Sequence, residues 1–184
     1  MVKQYRTLAS KVVFNNRWVQ LKIDSLELDK GQSYDYVYLT RHHNGVVAIA
    51  YFEKADQLMM VRQYRHPVGE HLWGFPAGGQ EKGQAPRQTA RKELAEEAGL
   101  VAGRLIDLGH NIIDPGIVSN RGRIFLTLDP TVDESKKVET ASEKIICQRF
   151  TLEEVDQMVA KGQIRDGWTL SALYLFKLWQ KGSR

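Results

Sequence analysis

The sequence predicts an α/β domain of the α+β kind, with helices packed on a mixed β-sheet and an antiparallel β segment before it. Three features lead there. The first forty residues look β-rich, with alternating apolar and polar side chains in two runs, 18–28 and 34–39, parted by a glycine-containing turn. Two continuous apolar runs follow at 46–52 and 58–61, as expected of strands covered on both faces. A stretch of strong helix formers then lies between a proline and a glycine, and strand and helix patterns continue to the C-terminus.

Along the chain, Val19, Leu21 and Ile23 run out of phase with Trp18, Gln20, Lys22 and Asp24. After Asp29, Lys30 and Gly31, the rings of Tyr34, Tyr36 and Tyr38 alternate with Asp35, Val37 and Leu39. Period-two alternation on both sides of such a turn is the pattern of a hairpin or meander. The segment 1–40 is therefore set apart from a second domain over 41–184. Residues 69–83 read as loop, because Gly69, Gly74, Pro76, Gly78, Gly79 and Gly83 give the backbone unusual freedom and let a ligand approach closely. Pro86 suits the first position of a helix and Gly99 the position just past its end. Between them RQTARKELAEEA is rich in helix formers. Strands are predicted at 105–108, 112–113, 124–128 and 143–150. The last has Ile145 and Ile146 at its centre and Cys147 as inert packing. Thr151 and Glu154 make a capping-box pattern for a helix ending near Gly162. Thr169 is the expected cap of a last helix running through Trp179.

With 26 basic and 22 acidic residues the formal net charge is +4, an ordinary balance. Like charges form no long block, which argues against a nucleic-acid tail. The uncharged run 44–52 is too short to span a bilayer, and the N-terminal residues hold no apolar stretch of signal-peptide length. A single cysteine, Cys147, leaves no intrachain disulfide. The expectation is a globular cytoplasmic protein without nucleic-acid or membrane partners.

On the predicted helix, Glu93, Glu96 and Glu97 fall within an arc of about 100°, beside the stripe formed by Ala90, Leu94 and Ala98. Like charges at Glu93 and Glu97 cost about 0.2–0.5 kcal/mol in an isolated helix, and a divalent cation reverses that cost. Carboxylate oxygens suit magnesium or manganese, which take few protein ligands alongside water and phosphate oxygens. Taken alone, such a helix is more often a solvated acidic face, with Lys92 pairing to Glu96. The glycine-rich loop directly before it shifts the odds toward a metal and phosphate site without deciding them. That loop is not a P-loop, since the Gly-Lys-Ser/Thr ending is absent.

Residues 78–100, GGQEKGQAPRQTARKELAEEAGL, resemble the box of the Nudix family, G-x5-E-x7-R-E-U-x-E-E-x-G-U with U a bulky apolar residue. The spacing is intact and the three helix glutamates match. Gln84 stands where the family has Glu, and Lys92 where it has Arg. Both positions are regarded in the family as holding the loop and helix together and orienting the carboxylates. The likeness extends to VRQYR at 61–65, to WGFPAG at 73–78 and to GQIRDGWTL at 162–170, which are similar to the branch that hydrolyses ADP-ribose and other nucleoside diphosphate sugars. That branch usually has Glu where Gly74 stands here. Pro115, fifteen residues after Leu100, sits at a spacing typical of ADP-ribose pyrophosphatases.

The resemblance implies a mixed sheet between helices and a magnesium-dependent attack of water on the diphosphate of a nucleotide-sugar, with manganese a substitute. It implies Glu93 and Glu97 as the main metal ligands, Glu96 in the same shell, and the carbonyl of Ala77, followed by Gly78, as a further ligand. Glu143 best matches the general base, with Glu139 the alternative. Asn120 stands where some relatives have a glutamate. Arg65 matches an arginine on the diphosphate, a task suited to the guanidinium fork. Trp18 and Tyr34 match positions that stack on the base, sometimes across a homodimer. Two other readings stay open: another Nudix activity on nucleoside triphosphates or RNA caps, and a regulator with a weakened site.

Overall fold

The computed structural model describes residues 4–28, 31–133 and 145–182. The chain forms two compact units: Met1–Asn44 with Ile112–Arg121, and Gly45–Asn111 with Gly122–Arg184. The first unit is thus more than the segment 1–40 set apart above, because a distant stretch joins it.

In the first unit β1 (Arg6–Asn15), β2 (Val19–Glu27) and β3 (Ser33–Arg41) form an antiparallel sheet in that order. The predicted meander is β2 and β3. The strand β1 is additional. Its register against β2 shifts between Thr7 and Ala9 and again between Val12 and Phe14, and such bulges break the period-two pattern by which a strand is recognised. In the returning stretch, Asp114 adopts a left-handed backbone (φ 53°). Its carbonyl accepts the amides of Ile117 (3.1 Å) and Val118 (2.9 Å). Val118 then bridges in parallel to Leu39.

The second unit is built on β4 (Gly45–Phe52), β5 (Gln57–Arg65), β9 (Leu105–Ile112), β10 (Arg121–Leu128) and β12 (Ile146–Thr151), ordered β12-β5-β4-β10-β9. β4 runs parallel to β10 and antiparallel to β5. One face of β4 packs Val46, Ala48 and Ala50 with Ala90, Leu94 and Ala98 of α1 (Pro86–Ala98). The other packs Val47, Ile49 and Tyr51 with Val155 and Met158 of α2 (Leu152–Ala160), and with Ala172, Leu173 and Phe176 of α3 (Gly167–Gly182). Burial on both faces explains why 46–52 is continuously apolar. A two-stranded sheet of β8 (Leu100–Val101) and β11 (Thr131–Val132) completes the unit.

Several elements differ from expectation. The stretch 69–83 is not all loop: β6 (Glu70–Gly74) pairs with β5 and β7 (Ala77–Gly79) pairs with β4. β4 and β5 pair through only two positions, Tyr51 with Leu58 and Phe52 with Gln57, before each takes a new neighbour. Glycine content hid both short strands. The separate strands at 105–108 and 112–113 are one strand, β9, interrupted in pattern at Gly109, whose φ is 113° and whose amide is accepted by Asp107. β12 is an edge strand among the described residues, so Ile146 is exposed and Cys147 half-buried rather than sealed in a core. α3 begins two residues before Thr169. Asp166 is the capping side chain, accepting the Thr169 amide (2.9 Å) and hydroxyl (2.6 Å).

Candidate active site

α1 carries the candidate carboxylates. Pro86 lies at its first turn, and the Gln88 side chain accepts the Ala85 amide at 2.9 Å. Gly99 ends the helix in a left-handed conformation (φ 62°), its amide donating to the Leu94 carbonyl. These ends set the phase of the helix, so that Glu97 is buried, Glu93 half-buried and Glu96 exposed.

β7 is laid beside α1 through its pairing with β4 and through the Ala48 amide donating to the Pro76 carbonyl (2.9 Å). The Ala77 amide donates to Glu97 at 2.9 Å. This hydrogen bond ties the strand carrying the Ala77 carbonyl to the carboxylate face of α1. At Gly78 a Cβ would stand 2.1 Å from a carboxylate oxygen of Glu93. The Glu93 carboxylate thus occupies the space a side chain would take and rests directly on the Gly78 backbone. Burial, and after it repulsion from Glu96, pushes the Glu93 carboxyl above the ordinary range, with Lys92 opposing. A half-buried carboxylate destabilised by a neighbouring carboxylate is a site that a cation stabilises.

Among the described residues, no three His, Cys, Asp or Glu side chains are gathered tightly enough to enclose an ion alone. Magnesium does not need such a cage, since one or two carboxylates with water and substrate phosphates satisfy it. The hard-oxygen donors at Glu93 and Glu97 fit that mode.

The two box departures have structural partners. Lys92 Nζ lies 2.5 Å from Glu81 Oε1, so it does not depend on Gln84. Gln84 accepts the Thr89 hydroxyl at 2.7 Å, and its carbonyl accepts the Gln80 side-chain amide at 2.5 Å. The third departure, Gly74, is also explained. A Cβ there would stand 2.8 Å from Thr169 Oγ1 and 3.9 Å from Asp166 Oδ2, so the cap of α3 fills the space of a larger side chain. Glu81 and Asp166 were not singled out from sequence. An acid three residues before Gln84 was the available signal for Glu81.

Other predicted residues lie elsewhere. Arg65 ends β5, exposed, paired in register with Glu70. Trp18 and Tyr34 belong to the first unit, 59% and 54% exposed. The Arg17 guanidinium lies 4.8 Å from the centre of the Trp18 ring, and Tyr34 meets Tyr36 edge-on. Pro115 lines a cavity of about 280 Å³ within the first unit, with Tyr36, Tyr38 and Asp24. Asn120 is buried there, accepting the Arg41 amide (3.0 Å) and donating to the His43 carbonyl (2.9 Å). It is a loop clamp. Glu143 and Glu139 lie outside the described residues.

A mixed sheet covered on both faces carries the glycine loop and the helix glutamates, and the NUDIX domain model matches residues 41–169. The chain belongs to the Nudix family. It is 28% identical to an ADP-ribose pyrophosphatase of Bacillus subtilis (strain 168), over 94% of this chain and 92% of that protein. A methanol dehydrogenase activator of Bacillus methanolicus shows the same identity and coverage. Among solved structures, an ADP compounds hydrolase superimposes with a TM-score of 0.87 at 21% identity, covering 100% of this chain and 97% of that one.

Proposed function

We propose that this protein hydrolyses the diphosphate linkage of nucleoside diphosphate sugars, ADP-ribose first among them, in a magnesium-dependent reaction that releases a nucleoside monophosphate and a sugar phosphate. The observation that carries the reading is the buried Glu97 carboxylate hydrogen-bonded to the Ala77 amide, with Glu93 resting on Gly78. The likeness to the Bacillus subtilis pyrophosphatase along nearly the whole chain supports the substrate class. Manganese is the expected substitute metal.

Glu93, Glu96, Glu97 and the Ala77 carbonyl are the residues that would hold the metal. When bound, such a cation neutralises diphosphate charge and lowers the pKa of a water. The Ala77–Glu97 hydrogen bond fixes one carboxylate, and contact with the Gly78 backbone limits where Glu93 can move. Glu143, or Glu139 in its place, takes the proton of the attacking water. Arg65 grips the diphosphate as a fork. Trp18 and Tyr34 offer exposed rings for stacking on the base, worth about 1–3 kcal/mol by the measure of nucleic-acid contacts.

The active form in this reading is a cytoplasmic homodimer. Leu8, Val12, Val13, Phe14 and Val37 are exposed apolar side chains on the first unit, and the twofold dimer is the commonest assembly of identical chains. No described helix is long and apolar enough to cross a membrane. The partner expected is a small nucleotide-sugar, with no nucleic acid.

With magnesium, the purified protein is expected to convert ADP-ribose to AMP and ribose phosphate, read by chromatography. Failure to cleave any member of a panel including ADP-ribose and GDP-mannose, with magnesium or manganese, overturns the proposal. The second reading, a regulator on the same scaffold, is supported by the likeness to the methanol dehydrogenase activator. The intact Glu93, Glu96 and Glu97 weigh against it.

A further inference from the structure

The Nudix pattern places an acid at position 84 and a guanidinium at position 92, and this chain has neither. A lysine without its acid would lose that link between the loop and the helix. Instead Glu81, three residues earlier on the same loop, meets Lys92 Nζ at 2.5 Å. Gln84 has a different set of partners, the Thr89 hydroxyl and, more weakly, the Glu81 amide at 3.4 Å. Lys92 and Glu93 are adjacent on α1, and Glu93 lies against Gly78, where the same loop begins. The loop thus meets α1 at two neighbouring places, at Lys92 and at the proposed metal ligand Glu93 itself.

We infer that Glu81 and Lys92 form a relocated positioning pair, which holds the glycine loop against α1 and so sets the metal-binding posture of Glu93, while Gln84 locks the first turn of the helix through Thr89. Both partners are substantially exposed, at 37% for Lys92 and 63% for Glu81. An exposed ion pair contributes little to global stability. The value of the pair is geometric: it fixes the loop on the side where Glu93 must not swing away. Glu81 acts through Lys92 and does not touch substrate. The inference rests on the metal-dependent reading of the site and concerns which residues support it.

The test is manganese binding without substrate, followed by electron paramagnetic resonance, alongside the magnesium concentration that gives half-maximal activity. Wild-type protein binds manganese in this reading; a wild type that binds none overturns the metal site itself and this inference with it. E81Q is expected to weaken manganese binding about tenfold, the low end of the cost of removing a partner that orients a metal ligand. Its KM at saturating metal and its melting temperature stay near those of wild type. K92Q should do the same, and E81Q/K92Q should be no worse than either alone, because the two residues act as one unit. In E81Q/Q84E the acid returns at the family position and binding recovers. Wild-type manganese binding in E81Q overturns the inference while leaving the metal site standing. Additive losses in the double variant, or no recovery with Q84E, show that Glu81 and Lys92 do not act as one unit at that joint and overturn it as well.

Discussion

The two units of the molecule use apolar residues in opposite ways. In the second, the sheet is sealed on both sides, and Val47, Ile49, Leu58, Met60, Leu94, Ile124 and Leu126 are almost wholly removed from water. In the first, no residue of the three strands is buried, and Val12, Val13 and Phe14 are about as exposed as charged residues usually are. Among the described residues of that unit, the buried side chain is Asn120, a polar clamp. The second unit therefore carries its own folding free energy and a rigid floor for the carboxylates. The first is a three-stranded sheet with little burial of its own. The difference is one of burial: a sheet sealed on both faces beside the carboxylates of α1, and exposed aromatic and aliphatic side chains on the first unit.

The largest effect that tests this division is the loss of Glu97. In Glu97→Gln the Ala77 amide keeps an acceptor of the same shape, so the fold survives while the ligand charge is gone. Turnover of ADP-ribose should fall by at least about a hundredfold, the upper end of what disturbing even an outer partner of a metal ligand costs. Circular dichroism and melting temperature are expected to stay near wild type. Full activity in this variant would place the metal site elsewhere and remove the reason for assigning the chemistry to the second unit.

Next in size is the core itself. Leu126→Ala removes a fully buried side chain from β10 and should cost about 2–5 kcal/mol in denaturant unfolding. Val12→Asp changes a side chain that is 48% exposed. It should leave the core of the second unit intact while converting dimer to monomer in light scattering. A monomeric wild type at micromolar concentration overturns the homodimer. A large loss of stability within the Val12→Asp monomer would show that the first unit has a core of its own.

What was legible in the sequence follows the same division. α1 runs from Pro86 to Ala98 as read, because proline, helix formers and a terminal glycine act locally. The buried stripe of Ala90, Leu94 and Ala98 is as predicted. β1 was not legible because its bulges scramble the alternation, and β6 and β7 were masked by glycines whose role is set by strands distant in sequence. That Ile112–Arg121 would join the N-terminal sheet has no local signal either, since the Leu39–Val118 bridge is purely tertiary. At the site, motif spacing located Glu93, Glu96 and Glu97 but drew attention to position 84. The partner of Lys92 is Glu81, which only the path of the loop reveals.

The smallest effect concerns a joint that belongs to the scaffold alone. Thr151 caps α2 by a reciprocal pair: its hydroxyl accepts the Glu154 amide at 3.2 Å, and the Glu154 carboxylate accepts the Thr151 amide at 2.7 Å. The pair was readable from sequence because both partners lie within one turn. Thr151→Ala removes the acceptor for that amide and should cost about 1 kcal/mol. For a chain of this size that is a fall of about 2–4 °C in melting temperature. α2 packs on the face of β4 opposite α1, so kcat and the magnesium requirement are expected to match wild type. A change in either would mean that the helix face opposite the carboxylates governs the posture of the site, and that the rigid floor attributed to the second unit transmits strain across the sheet.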